Sequence, residues 1–177
     1  GGVGLTFKAR LDDSRELPFA MTFAVSGPKG KRARRMIEGL TELGAVGIGP
    51  LLVEHNQKAT NQDTLGRWAL EACKQCKRNV VPEIHETFDI GTLALFAPDY
   101  DLRLIADTQD ATPLRDALTG DRPEKVLVAI GPEGGFSDSE RSTLRAAGFV
   151  SVGLGKSVLR VETAAHAVAA ALVATWG

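Results

Sequence analysis

Lys125-Val126-Leu127-Val128-Ala129-Ile130 is a continuous apolar run behind one charge, and Gly131-Pro132-Glu133-Gly134-Gly135-Phe136 breaks it. A run without polar alternation fits a strand covered on both faces, as in a parallel sheet between helices. Ser137-Asp138-Ser139-Glu140 follows with the spacing of a capping box, in which the serine and the glutamate satisfy each other's backbone N–H groups at a helix start. Gly148 then ends that helix. Strand, glycine loop and capped helix in succession make the unit of an α/β fold.

The same grammar continues on both sides. Phe149 to Leu154 reads as a short strand, Gly155-Lys156-Ser157 turns the chain, and an alanine-rich helix runs from about Arg160 to Thr175. Upstream, Leu102-Arg103-Leu104-Ile105-Ala106 and the run from Val46 to Val53 read as strands. Leu65, Trp68, Ala69, Ala72, Cys73 and Cys76 fall on one face of a helix over 62–79, with Trp68 in the core. Met36, Ile37, Leu40 and Leu43 recur at helical spacing, with Gly44 as the stop. Residues 1–27, Leu17 to Val25 for example, alternate loosely and read either as the remnant of a preceding β element or as edge strands of the main domain.

Composition narrows the function. The chain has 177 residues, 44% of them hydrophobic and 24% charged, which suits one domain with a substantial core rather than a disordered chain. Its net charge is −1, so an anionic partner must be met by a local basic patch. Lys29, Lys31, Arg32, Arg34 and Arg35 supply one. No apolar run approaches the ~20 residues of a membrane-spanning helix, and Gly1-Gly2-Val3-Gly4 reads as a processed or trimmed end rather than a signal or transit peptide. Two cysteines are too few for a disulfide scaffold and fit a reducing compartment, the cytoplasm or an organelle interior. Cys73-x-x-Cys76 has redox spacing but lies late on an apolar helix face, where no helix N-terminus stabilises a thiolate, so buried thiols are the expectation. Three histidines, His55, His85 and His166, do not complete an evident zinc set, so no metal is expected, and His166 reads as packed or interfacial.

The loops at 131–135 and 153–157 each leave a strand and enter a helix. In open α/β sheets, ligands bind beyond the carboxyl ends of the strands, where glycine lets the backbone approach and free N–H groups donate to polar or anionic atoms. Neither loop has the Gly-x-Gly-x-x-Gly or the Gly-x-x-x-x-Gly-Lys-Ser/Thr pattern, which speaks against dinucleotide enzymes and nucleoside triphosphatases.

Taken together, Ile130-Gly131-Pro132-Glu133-Gly134-Gly135-Phe136 and Leu154-Gly155-x-x-Val158-Leu159-Arg160-x-Glu162-Thr163-Ala164 resemble the paired signature of the ribosomal RNA small subunit methyltransferase E family, within the SPOUT superfamily. Lys29-Gly30-x-Arg32, Thr41-Glu42-Leu43-Gly44 and Glu71-Ala72-x-x-Gln75-x-x-Arg78, with Pro82, match in the same order, so the resemblance spans residues 17–175. It implies a SPOUT-type parallel sheet flanked by helices, a deep trefoil knot near the C-terminus, and a homodimer. It also implies S-adenosylmethionine as cofactor and N3 of a uridine in small-subunit ribosomal RNA as methyl acceptor.

On this chain the resemblance assigns the adenosine pocket to Ala106, Ile130, Gly131, Gly134, Gly135, Leu154, Gly155, Val158 and Leu159. RNA contacts fall to Lys29, Arg32, Gln75 and Arg78. Uracil N3 carries a proton at neutral pH, so a cationic stabiliser and a proton acceptor would help transfer. Arg160 is the candidate stabiliser, and Glu162 or Glu133 the acceptor. The family's N-terminal PUA-like barrel is mostly absent, so residues 1–25 are expected to be its remnant and residues 26–177 the methyltransferase domain. Gly39 and Ser157 stand where the family carries Lys and Arg. Those departures leave a second reading, an RNA-binding or ribosome-assembly module that keeps the fold with weakened catalysis.

Overall fold

The computed structural model describes residues 15–56 and 61–177. In chain order they form β1 (Ala20–Val25), α1 (Lys31–Glu42), β2 (Gly47–Pro50), α2 (Gln62–Cys76), β3 (Glu83–Ile84), α3 (Ile90–Phe96), β4 (Leu102–Ala106) and β5 (Thr112–Pro113). Then come α4 (Leu114–Ala117), β6 (Lys125–Ile130), α5 (Asp138–Ala146), β7 (Val150–Gly153) and α6 (Val161–Trp176). One sheet has the order β3-β2-β1-β6-β4-β7-β5, and every pairing in it is parallel.

Side-chain alternation builds the layers. On β6, Val126, Val128 and Ile130 join Met21, Phe23 and Val25 of β1 in a core shared with Met36, Ile37 and Leu40 of α1 and Val168 and Leu172 of α6. Leu127 and Ala129 face the other way, with Ile105, Leu93 of α3 and Leu144 of α5. Both faces of β6 are therefore covered, as its unbroken apolar run demands.

Ala20–Val25 corrects one expectation. It is neither the end of a barrel remnant nor an edge strand, but an interior strand paired to β2 and β6 along its length. The sheet domain thus begins before residue 26. The loose alternation misled because small residues fill the second face: Ala24 is buried, and Thr22 is buried beneath Tyr100, whose hydroxyl lies 3.1 Å from Thr22 Oγ1. Residues 1–14, which carry the rest of that expectation, lie outside the described residues.

β4 and β6 have the bounds expected from sequence. The capping box of α5 is complete: Glu140 N donates to Ser137 Oγ, and Ser137 N donates to Glu140 Oε2 at 2.8 Å. Helix α2 ends at Cys76 rather than residue 79, because Lys77 turns into the left-handed region at φ 62°. Among the described residues no helix is long and apolar enough to cross a membrane.

Candidate cofactor cleft and its basic rim

Register fixes where the cleft lies. Ala106 at the end of β4 is level with Ile130 on β6 and with Val152 on β7. The three strands are neighbours, so their exit loops leave the sheet side by side. Between them opens a cleft of about 740 Å³ of empty space, part of it open to solvent. Its walls include Ala106, Ile130, Gly131, Gly134, Gly135, Leu154, Gly155, Val158 and Leu159, which are all nine residues expected there, and also Glu133.

Glycine is required at particular points. A Cβ on Gly131 would sit 2.8 Å from the ring of Phe136, which is buried in the second core. Gly135 and Gly155 have φ of +72° and +130°, where other residues are strained. The loops therefore present bare backbone to the cleft, which suits an adenosine held by main-chain groups and apolar walls.

Of the three candidate catalytic residues, Glu133 lines the cleft and Arg160 and Glu162 flank it. Arg160 is the exposed N-cap residue of α6, between the lining residues Leu159 and Val161. Glu162 stands in the first turn of α6, with Oε2 buried and without a hydrogen-bond partner among the described residues. Arg32 reaches Glu133 at 3.5 Å, so the start of α1 forms a rim of the cleft. Lys29, Lys31 and Arg35 are exposed beside it, whereas Arg34 is engaged by Glu38 at 2.7 Å and Glu71 at 3.2 Å. Gln75 is exposed on α2, one turn beyond Glu71.

Arg78 departs from its expected role in RNA contact. Its side chain is 3% exposed. Nη1 donates to the carbonyls of Thr41 (2.9 Å) and Ala45 (2.8 Å), and the guanidinium also pairs with Glu16. Arg78 thus clamps the end of α1, which accounts for Thr41-Glu42-Leu43-Gly44 and Arg78 occurring together. The cysteines are structural too. Cys73 Sγ lies 3.5 Å from the Val80 carbonyl, and burial pushes its thiol pKa up, opposite to a redox pair.

Sequence reading missed an ion pair in the cleft wall. Asp107, directly after β4, meets Arg141 of α5 at 2.6 Å, and both line the cleft. Asp107 is polar, adjoins a strand of recognised type and could have been nominated; Arg141, inside a helix, gave no signal. Glu140 does more than cap α5: its Oε1 also accepts from Glu54 N at 2.8 Å and ties the 53–56 turn to the cleft loop.

Comparison with known proteins agrees with this geometry. The family model described as an RNA methyltransferase domain matches residues 15–173. The ribosomal RNA small subunit methyltransferase E of Mesomycoplasma hyopneumoniae is 31% identical over 162 residues, covering 88% of this chain and 70% of the relative. The chain belongs to the ribosomal RNA small subunit methyltransferase E family. The enzyme of that name from Synechocystis sp. is 34% identical over 160 residues, covering 87% of this chain and 53% of the relative. The chain thus spans about half the length of that relative. The Legionella pneumophila protein Lpg2936, solved with the cofactor SAM bound, superposes with a TM-score of 0.83 at 32% identity, covering 93% of this chain and 69% of that one.

Packing accounts for glycine at position 39 of this member of the methyltransferase E family. A Cβ at residue 39 would lie 2.4 Å from His166 Nε2, which itself sits 3.3 Å from the Met36 carbonyl. His166 of α6 fills the space a side chain would need. G39A is expected to cost about 1–3 kcal/mol through overpacking, and H166A should recover much of that loss in the double variant. Additive losses in urea denaturation would refute the proposed competition for space. Ser157, the other position expected to depart from the family pattern, lines the cleft.

Proposed function

We propose that the chain is the methyl-transferring unit of an S-adenosylmethionine-dependent enzyme that modifies N3 of a uridine in small-subunit ribosomal RNA. We infer further that it works as a homodimer and carries the trefoil knot implied by its family. One observation carries the reading: nine residues nominated from sequence converge on a single cleft at the level ends of β4, β6 and β7. Adenosine fits that cleft because the bare backbone of Gly131, Gly134 and Gly135 can approach it closely and the side chains of Ile130, Leu154 and Leu159 offer apolar cover. When bound, S-adenosylmethionine supplies an electrophilic sulfonium methyl.

The chain's own residues then have to orient the base and handle one proton. Arg160 is exposed at the cleft's edge, and its side chain has no hydrogen bond or ion pair with the described residues, so its guanidinium is available to stabilise a uracil anion. Glu162 has an unfilled acceptor at Oε2 and is the better placed proton acceptor, since Glu133 is engaged by Arg32. Lys29, Arg32 and Gln75 would meet the RNA backbone from the rim, where clustered positive charge favours phosphate. Arg78 has no part in this contact.

Calorimetry tests the first half of the reading. S-adenosylmethionine and S-adenosylhomocysteine should each saturate about one site per chain. R160A should keep cofactor affinity within about threefold while transfer to small-subunit ribosomal RNA falls by at least ~100-fold, as for loss of an oxyanion donor. Equal losses of binding and transfer would remove the role given to Arg160. Tight cofactor binding without transfer by the unaltered chain would favour the assembly-module reading instead.

A further inference from the structure

The Asp107–Arg141 pair is built more precisely than a wall needs to be. Asp107 has a side chain 2% exposed. Its Oδ1 accepts from Thr108 N at 2.7 Å and Gln109 N at 3.3 Å, and its Oδ2 accepts from Arg141 Nε at 2.6 Å. Arg141 Nη1 is held in turn by Asp138 Oδ1 at 3.1 Å. That leaves Nη2, which has no protein partner among the described residues, on a side chain that lines the cleft. Nη2 lies 3.4 Å from where a Cβ on Gly135 would sit, and the φ of +72° there keeps a side chain away. Two carboxylates therefore fix a guanidinium so that its third nitrogen faces a space left open by glycine.

We propose that Arg141, oriented by Asp107, donates through Nη2 to a ribose oxygen of the bound cofactor and gives the site its selectivity for a full ribose. This rests on the reading of the cleft as an adenosine site. Charge decides between possible acceptors. The guanidinium is flanked by Asp107 and Asp138, with Glu133 on the same loop system, so a carboxylate such as the methionine tail would meet repulsion while a neutral oxygen would not. Asp107 is not assigned as the ribose acceptor found after a strand in dinucleotide folds, because its side chain is almost fully buried and turned to Arg141 and to the Thr108 and Gln109 N–H groups. It acts as a positioning residue for Arg141.

The test titrates S-adenosylhomocysteine and its 2′-deoxy and 3′-deoxy analogues into the wild-type chain, R141M, R141K and D107N, with thermal unfolding of each alongside. The unaltered chain should bind one of the two analogues about 10-fold more weakly, the value of a hydrogen bond to a charged donor. R141M should bind the parent ligand about 10-fold more weakly and no longer distinguish it from that analogue. R141K loses the planar fork and should behave likewise, while D107N should lose part of the discrimination. Should R141M fail to fold, R141K and D107N carry the same comparison. A purely structural role would weaken all three ligands equally and preserve the discrimination, which overturns the inference, as would a wild-type chain indifferent to both hydroxyls. Absence of any S-adenosylhomocysteine binding by the folded wild type would instead overturn the cofactor reading itself.

Discussion

Replacing Arg78 with methionine lowers the melting temperature by about 10 °C and leaves RNA affinity of the folded fraction unchanged; this is the expected result. The guanidinium donates to the Thr41 carbonyl and serves Ala45 and Glu16 at the same time. Methionine keeps the stem's apolar packing but takes the guanidinium from the Ala45 carbonyl, from the Thr41 carbonyl, which keeps the Gly44 N–H at 3.1 Å, and from the Glu16 carboxylate. Breaking a buried charge network costs about 3–5 kcal/mol, and each kcal/mol moves the midpoint of a chain this size by about 2–4 °C. Lysine should rescue little, because one ammonium cannot span two carbonyls and a carboxylate in the geometry of a planar fork. Differential scanning calorimetry with RNA-binding titrations separates the alternatives. An unaltered midpoint with lost RNA binding would return Arg78 to the RNA surface.

The second large effect is expected at Gly131. G131V places a Cβ 2.8 Å from Phe136, whose ring is 2% exposed among Leu144, Phe149 and Leu127 in the second core. The ring cannot yield without disturbing that core, so the loop must move, and it is the loop whose backbone walls the cleft. Overpacking of this kind costs about 1–3 kcal/mol. Paid by a loop displacement, that cost should reduce S-adenosylhomocysteine affinity by at least about 10-fold. Phe136→Ala in the same chain relieves the contact and should restore part of the affinity while lowering stability. Calorimetric affinity within threefold of wild type for G131V would show that the cofactor does not depend on the loop as drawn.

Both results bear on the same division of labour. Residues whose role is local were legible: the glycines that bare a loop, the Ser137–Glu140 cap, and the apolar run of β6. Arg78 was misassigned because an exposed and a buried arginine look alike in a helix pattern, and its partners Thr41 and Ala45 lie far back along the chain. Arg141 went unnoticed for the same reason, since its partner Asp107 leaves a different strand. The interior place of β1 was hidden by small residues, which bury as well as large ones but carry little pattern.

By itself, then, the sequence determined the strand–loop–helix units, the glycine loops and their membership in one family, because turn chemistry, capping and side-chain periodicity act over a few neighbouring residues. Tertiary structure decided which loops stand side by side, that Arg32 reaches Glu133, that His166 occupies the space over Gly39, and that Arg78 and Arg141 are buried or held by carboxylates. Those outcomes depend on strand order and register, and parallel pairing joins segments distant in the chain through contacts that leave no trace in local spacing.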